Sequence, residues 1–199
     1  YGRDTFQGIL DLSGATSTDG VFAFESGEGK VGYSVSRAGD LNDDGLADLV
    51  LGAPAADNKT GKTYLVFGTP SGFETNLSSL NGNNGVIITG AAVDDESGYS
   101  VSGVGDLNGD GIDDLVIGAP DANNKAGAAY VVFGRQTGDS FGSELSLSAL
   151  DGNNGFVLQG VQDDDQAGFS VNGAGDLNGD GVSDMVIGAP GASSTYVIY

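Results

Sequence analysis

The chain has no cysteine and no histidine, and only 7 basic residues stand against 28 acidic ones. Without thiols or imidazoles, disulfides, thiolate chemistry, zinc sites and imidazole acid–base catalysis are all excluded. A formal charge of -21 argues against nucleic-acid backbones and anionic membrane surfaces as partners. No apolar run approaches the roughly 20 residues of a membrane span, so no membrane insertion is expected, and no signal peptide is visible. Aromatics are only 8% of the 199 residues. What is abundant is glycine, 36 residues, which with 39% apolar residues predicts a core of many short elements separated by turns.

One stretch organises the rest. Asp40-Leu41-Asn42-Asp43-Asp44-Gly45-Leu46-Ala47-Asp48 returns as Asp106 to Asp114 and again as Asp176 to Asp184, each reading D-x-N-x-D-G-x-x-D. Oxygen side chains at positions 1, 3, 5 and 9 are what a hard cation asks for, with a glycine at 6 where the backbone turns sharply. The candidate ligands are Asp40, Asn42, Asp44 and Asp48; Asp106, Asn108, Asp110 and Asp114; Asp176, Asn178, Asp180 and Asp184. The main-chain carbonyls of Leu46, Ile112 and Val182 can add one oxygen each. No glutamate stands at position 12, where Leu51, Ile117 and Ile187 lie in apolar runs, so these are not EF-hands. Asp and Asn are also ordinary turn residues, but three copies with four oxygen positions kept favour metal. The expectation is three Ca2+ ions per chain, each stabilising its hairpin; open loops of this kind suit extracellular calcium levels and a secreted or cell-surface location.

The repeat extends beyond the loops. Gly32-Tyr33-Ser34-Val35-Ser36 precedes the first loop, as Gly98 to Ser102 and Gly168 to Asn172 precede the others. Each loop is followed by an apolar run closed by Gly-Ala-Pro (Leu49 to Pro54, Leu115 to Pro120, Met185 to Pro190). A third run comes next, Thr63 to Gly68, Ala129 to Gly134 and Thr195 to Tyr199, and a fourth follows an Asn-Gly or Asp-Gly turn, Gly85 to Thr89 and Gly155 to Gln159. Four short strands per period of about 65 to 70 residues predict an all-β chain of β-propeller blades, each of four antiparallel strands. The units span 26–90, 91–160 and 161–199. The third is completed by a fourth strand from residues 1–25, of its own or a partner chain, since Asp19-Gly20-Val21-Phe22-Ala23-Phe24 repeats the strand-four pattern. Three blades are too few to close a ring, so a homodimer of six blades is expected, the alternative being that the chain is a piece of a longer array.

Phe67-Gly68, Phe133-Gly134 and Tyr1-Gly2, with the three Gly-Ala-Pro ends and the three acidic loops, resemble the FG-GAP repeats of the integrin alpha-subunit N-terminal propeller. The resemblance covers essentially the whole chain. It implies a calcium-bearing propeller whose metal loops join strands one and two on one face, away from the ligand-binding face. It implies cell adhesion or the binding of a protein or other ligand rather than catalysis; a glycan-binding, lectin-like propeller is the alternative. The opposite face would carry Asp94-Asp95-Glu96, Asp163-Asp164-Asp165, Asp57-Asn58-Lys59 and Asp121 to Lys125, read as solvated acidic loops. The repeated aromatics Tyr33, Tyr99 and Phe169, like Tyr64, Tyr130 and Tyr196, are expected to pack blade against blade. The acids recur in step with the repeat, and a catalytic site would break that symmetry, so no enzyme activity is expected.

Overall fold

The computed structural model describes Phe24 and residues 29–199. Each repeat opens with an inner strand, β1 (Ser34–Gly39), β5 (Ser100–Gly105) or β10 (Ser170–Gly175). Each inner strand pairs antiparallel with the strand after its acidic loop, β2 (Asp48–Ala53), β6 (Asp114–Ala119) or β11 (Asp184–Ala189). The third strands, β3 (Lys62–Val66), β7 (Ala128–Val132) and β12 (Ser194–Ile198), pair antiparallel with these. The fourth strands are β4 (Gly85–Thr89) and β9 (Gly155–Gln159), which pair with β3 and β7. The strand-four segment expected at residues 20–25 lies, except for Phe24, outside the described residues.

A β-bulge interrupts each inner pairing at the same place, between Arg37 and Gly39, Gly103 and Gly105, and Gly173 and Gly175. The glycine after the bulge is left-handed (φ 95°, 76° and 66°), a conformation that costs a residue with a Cβ. That kink turns the chain out of the sheet and into the acidic loop.

The sheets lie face to face in chain order, with β1, β5 and β10 side by side. One core fills the space between the first two sheets (Leu65, Ile88, Leu115, Ile117), and a second fills that between the last two (Val116, Val131, Met185, Ile187). This explains why the middle strands are apolar on both faces: every residue of β6 is buried.

Two features depart from the expected four-stranded blades. A short strand, β8 (Glu144–Ser146), joins the first sheet parallel to β4, covering an edge that would otherwise expose unpaired backbone groups. The turns after β2 and β6 are also tight arms with three consecutive left-handed residues, Asp57-Asn58-Lys59 and Asn123-Asn124-Lys125. Their carbonyls reach the connection into the next sheet. Lys59 O accepts from Glu96 N at 2.8 Å, and Lys125 O accepts from Gln166 N at 2.8 Å.

Candidate functional site

The acidic loops all lie at one end of the strands, together with the connections after β3 and β7. The aromatic row and the acidic clusters 94–96 and 163–165 lie at the other. Strand alternation places them so, since each loop leaves the inner strand where that strand ends.

Within each loop the position-1 aspartate organises the turn. Asp40 accepts from the backbone N–H of Asp44 at 3.0 Å and of Gly45 at 2.8 Å. Asp106 accepts from Gly109, Asp110 and Gly111, and Asp176 from Gly179, Asp180 and Gly181. The position-3 asparagine bridges to position 5. Asn42, Asn108 and Asn178 donate their Nδ2 to Asp44, Asp110 and Asp180 at 2.9, 3.0 and 2.8 Å. The position-5 aspartates cap the N–H of Leu46, Ile112 and Val182 at 2.8 to 2.9 Å. These backbone bonds hold the Asp180 carboxyl below its ordinary pKa.

Position 9 is different, because it is buried. Asp48, Asp114 and Asp184 are 2%, 0% and 0% exposed. Asp48 receives Leu41 N at 2.9 Å and Gly68 N at 3.0 Å, and Asp114 receives Leu107 N and Gly134 N, both at 2.9 Å. Gly68 and Gly134 are the glycines of the two Phe-Gly pairs. A Cβ on Gly68 would fall 2.5 Å from the Ala47 carbonyl oxygen, so the repeated glycine lets the backbone donate to the buried carboxylate. Asp184 keeps the first bond, from Leu177 N at 2.6 Å, but its buried Oδ1 has no partner among the described residues.

Burial pushes the Asp48 carboxyl up to about 7 and that of Asp114 to about 6. The two N–H donors of each offset part of the rise, while the carboxylates at positions 5 and 1 of the same loop add to it. In the first two loops, positions 1 and 5 thus lie close enough to position 9 to repel it. Among the described residues, no three Asp or Glu side chains converge to the spacing of a metal site. The donor set still fits a hard cation: carboxylates and an amide oxygen around a turn, backed by a buried carboxylate whose oxygen in the third loop is unsatisfied. The described ion pairs lie at the other end of the strands, Lys59–Glu96 at 2.6 Å and Lys62–Asp57 at 3.0 Å.

At that other end, Tyr33, Tyr99 and Phe169 form a row across the three inner strands, with ring centroids 4.9 and 5.0 Å apart. For this row the packing expected between blades is present. Tyr33 and Phe169 nevertheless remain 48% and 40% exposed, so the row also surfaces that face. No helix among the described residues is long and apolar enough to cross a membrane.

Residues 31–66, 97–132 and 167–199 match the family described as FG-GAP repeat. The chain is 33% identical over 178 residues to integrin alpha-5 of Xenopus laevis, which covers 83% of this chain and 15% of that protein. It is 32% identical over 198 residues to integrin alpha-2 of Mus musculus, covering 95% of this chain and 16% of that one. It is also 33% identical over 172 residues to phosphatidylinositol-glycan-specific phospholipase D of Bos taurus, covering 81% and 19% respectively. The chain thus spans less than a fifth of the length of these relatives.

Proposed function

The chain belongs to the FG-GAP repeat family, and on that premise we propose that it is a non-catalytic binding module whose three acidic loops take calcium. The observation that carries this is the trio of buried aspartates, Asp48, Asp114 and Asp184. Each ends a loop with at least two further carboxylates and, among the described residues, is met by backbone N–H donors rather than a cationic side chain. Bound Ca2+ would supply the missing positive charge to carboxylate, amide and main-chain oxygens of the same loop.

Asp40, Asp106 and Asp176 would hold the turn closed, as they already do through backbone donors. Asn42, Asn108 and Asn178 would offer the amide oxygen. Asp48, Asp114 and Asp184 would tie each loop to the core beneath it. The end of the strands away from the loops, with its aromatic row, is then free to meet a protein or other extracellular ligand in an adhesive role. One matched relative is named as a phospholipase, but the shared stretch is less than a fifth of that protein. The most strongly raised carboxyls, Asp48 and Asp114, sit in repeated hairpins, and among the described residues they form no singular pair set apart for proton transfer.

Calorimetric titration of chelator-treated protein with Ca2+ tests the reading, three sites per chain being the expected stoichiometry. Metal that binds only the folded chain at 100 times its dissociation constant adds about 2.7 kcal/mol per site. Excess EDTA should therefore lower the melting temperature by many degrees. An absence of binding heat together with an unchanged melting curve would remove calcium from the account.

A further inference from the structure

The first acidic loop is the odd one of the three. At position 4 it carries Asp43, where the second and third have Gly109 and Gly179, and all three residues are left-handed (φ 54°, 80° and 80°). Glycine takes that conformation freely; an aspartate takes it at a cost. The turn is also held by fewer bonds of its own. Gly109 N and Gly179 N donate to Asp106 and Asp176 at 2.7 and 2.6 Å, whereas among the described residues the Asp40 carboxylate receives only the N–H groups of Asp44 and Gly45.

What this loop lacks internally, the second repeat supplies. Asp113, at position 8 of the second loop, accepts from Asp40 N at 2.8 Å across the junction between the first two sheets. Gly39 leaves room for it, since a Cβ there would stand 2.4 Å from the same carboxylate oxygen. Arg135 N donates to Leu41 O at 2.8 Å. Thr137 donates its hydroxyl to Asp43 O and its N–H to the Asp43 carboxylate, the latter at 3.4 Å. Positions 1, 2 and 4 of the first loop are thus each held from the neighbouring repeat.

The segment that does this is anchored on both sides. Before it, Gly134 N donates to Asp114, the buried position-9 aspartate of the second loop. After it, the buried Phe141 packs on Phe67 with ring centroids 6.2 Å apart, and β8 pairs with β4 of the first sheet. Arg135 ties the two sides together: its guanidinium donates to Ser140 O at 2.9 Å and lies 4.9 Å from the centroid of the Phe141 ring. Phe67 in turn precedes Gly68, whose N–H meets Asp48 at the end of the first loop. The clasp therefore reaches the start of that loop directly and its end through Phe67.

We propose that Asp113, Arg135 and Thr137 are positioning residues for the first calcium site. They set the turn of the first loop from outside, so this site reaches its full affinity only with the clasp of the second repeat docked on it. None of the three needs to touch the ion. The inference rests on reading the loops as calcium sites, although the hydrogen bonds it invokes are made by protein groups alone. By linkage, the ion at the first loop tightens the clasp by the same factor by which the clasp tightens the ion.

Hydrogen exchange read by mass spectrometry on the full chain across a Ca2+ series tests it, with the third loop as internal reference. In Asp113→Ala and in Thr137→Val, protection of residues 40–48 should require about tenfold more Ca2+, while that of 176–184 keeps its native midpoint. Asp113→Asn retains an oxygen for Asp40 N and should restore the first midpoint. In an Asp43→Gly chain, whose first loop gains the glycine of the other two, the shift caused by Thr137→Val should shrink. Native midpoints at 40–48 in both Asp113→Ala and Thr137→Val, or an equal shift at 176–184, would overturn the inference while leaving calcium in place. An Asp113→Asn chain as impaired as Asp113→Ala would also overturn it, because charge and not the held backbone would then set the site. Exchange that ignores Ca2+ in every loop of the native chain would remove the calcium reading and this inference together.

Discussion

At the scale of single residues, the repeated acids divide into two kinds. The carboxylates at positions 1 and 5 fold the turn and face water; the one at position 9 is buried and anchors it. A carboxyl whose folded pKa lies above its unfolded value binds its proton more tightly in the folded chain. For Asp48, raised from 3.8 to about 7, and Asp114, raised to about 6, the stabilisation is therefore full below about pH 4 and lost as pH rises through 6 to 7. In EDTA the chain should melt at a higher temperature at pH 5 than at pH 7.5. In saturating Ca2+ the sign should reverse, because protons then compete with the ion. Asp48→Asn should flatten the slope in EDTA, and calorimetry that finds the slope unaltered in that variant would show that the buried carboxyl does not set it. The sequence alone disclosed these nine carboxylates and the three asparagines between them through spacing. It did not distinguish their roles, because the setting of Asp48 depends on Gly68, twenty residues away, donating from the connection after β3.

At the scale of elements, the strands were legible because each repeat confirms the others, and β4 and β9 begin and end where the pattern put them. β8 was not, since a three-residue strand in one repeat has no counterpart to reinforce it and pairs in parallel with a strand of the preceding repeat. The arms at 57–59 and 123–125 were visible as polar loops, but three successive left-handed residues reflect bonds to the next sheet rather than local preference. The glycines of the inner and second strands are likewise explained only by what lies across the junction. Gly118→Ala would force a Cβ to within 2.0 Å of the Gly168 carbonyl, a contact with backbone that cannot swing aside. We expect a loss of about 1 to 3 kcal/mol, as for overpacked cores. That corresponds to about 2–4 °C per kcal/mol in a domain of this size. The paired variant Gly188→Ala, whose added Cβ meets only the Ser170 side chain and backbone of its own sheet, should melt close to the native chain. Equal losses in urea titrations of the two variants would mean that glycine is needed there for its backbone freedom, not for the approach of the next sheet.

At the scale of the whole molecule, 28 acids against 7 bases make electrostatic self-repulsion a global force, concentrated at the end where three loops each hold three or more carboxylates. Exposed charges separated by more than the Debye length, about 10 Å at 0.1 M salt and about 3 Å at 1 M, are largely screened, while close or buried ones are not. Repulsion between loops and across the acidic connections at 94–96 and 163–165 should therefore respond to salt, whereas repulsion within one loop should respond mainly to calcium. In EDTA, raising sodium chloride from about 10 mM to about 0.5 M should raise the melting temperature. The same change in millimolar Ca2+ should do much less, because the densest charge is already neutralised. Magnesium at equal concentration should do less than calcium, since it dehydrates reluctantly and demands a stricter octahedral arrangement than an open nine-residue hairpin supplies. A melting temperature that rose equally with salt in EDTA and in Ca2+, and equally with either divalent ion, would show that the loops sense ionic strength alone, and that their carboxylates form a diffuse acidic surface instead of three selective pockets.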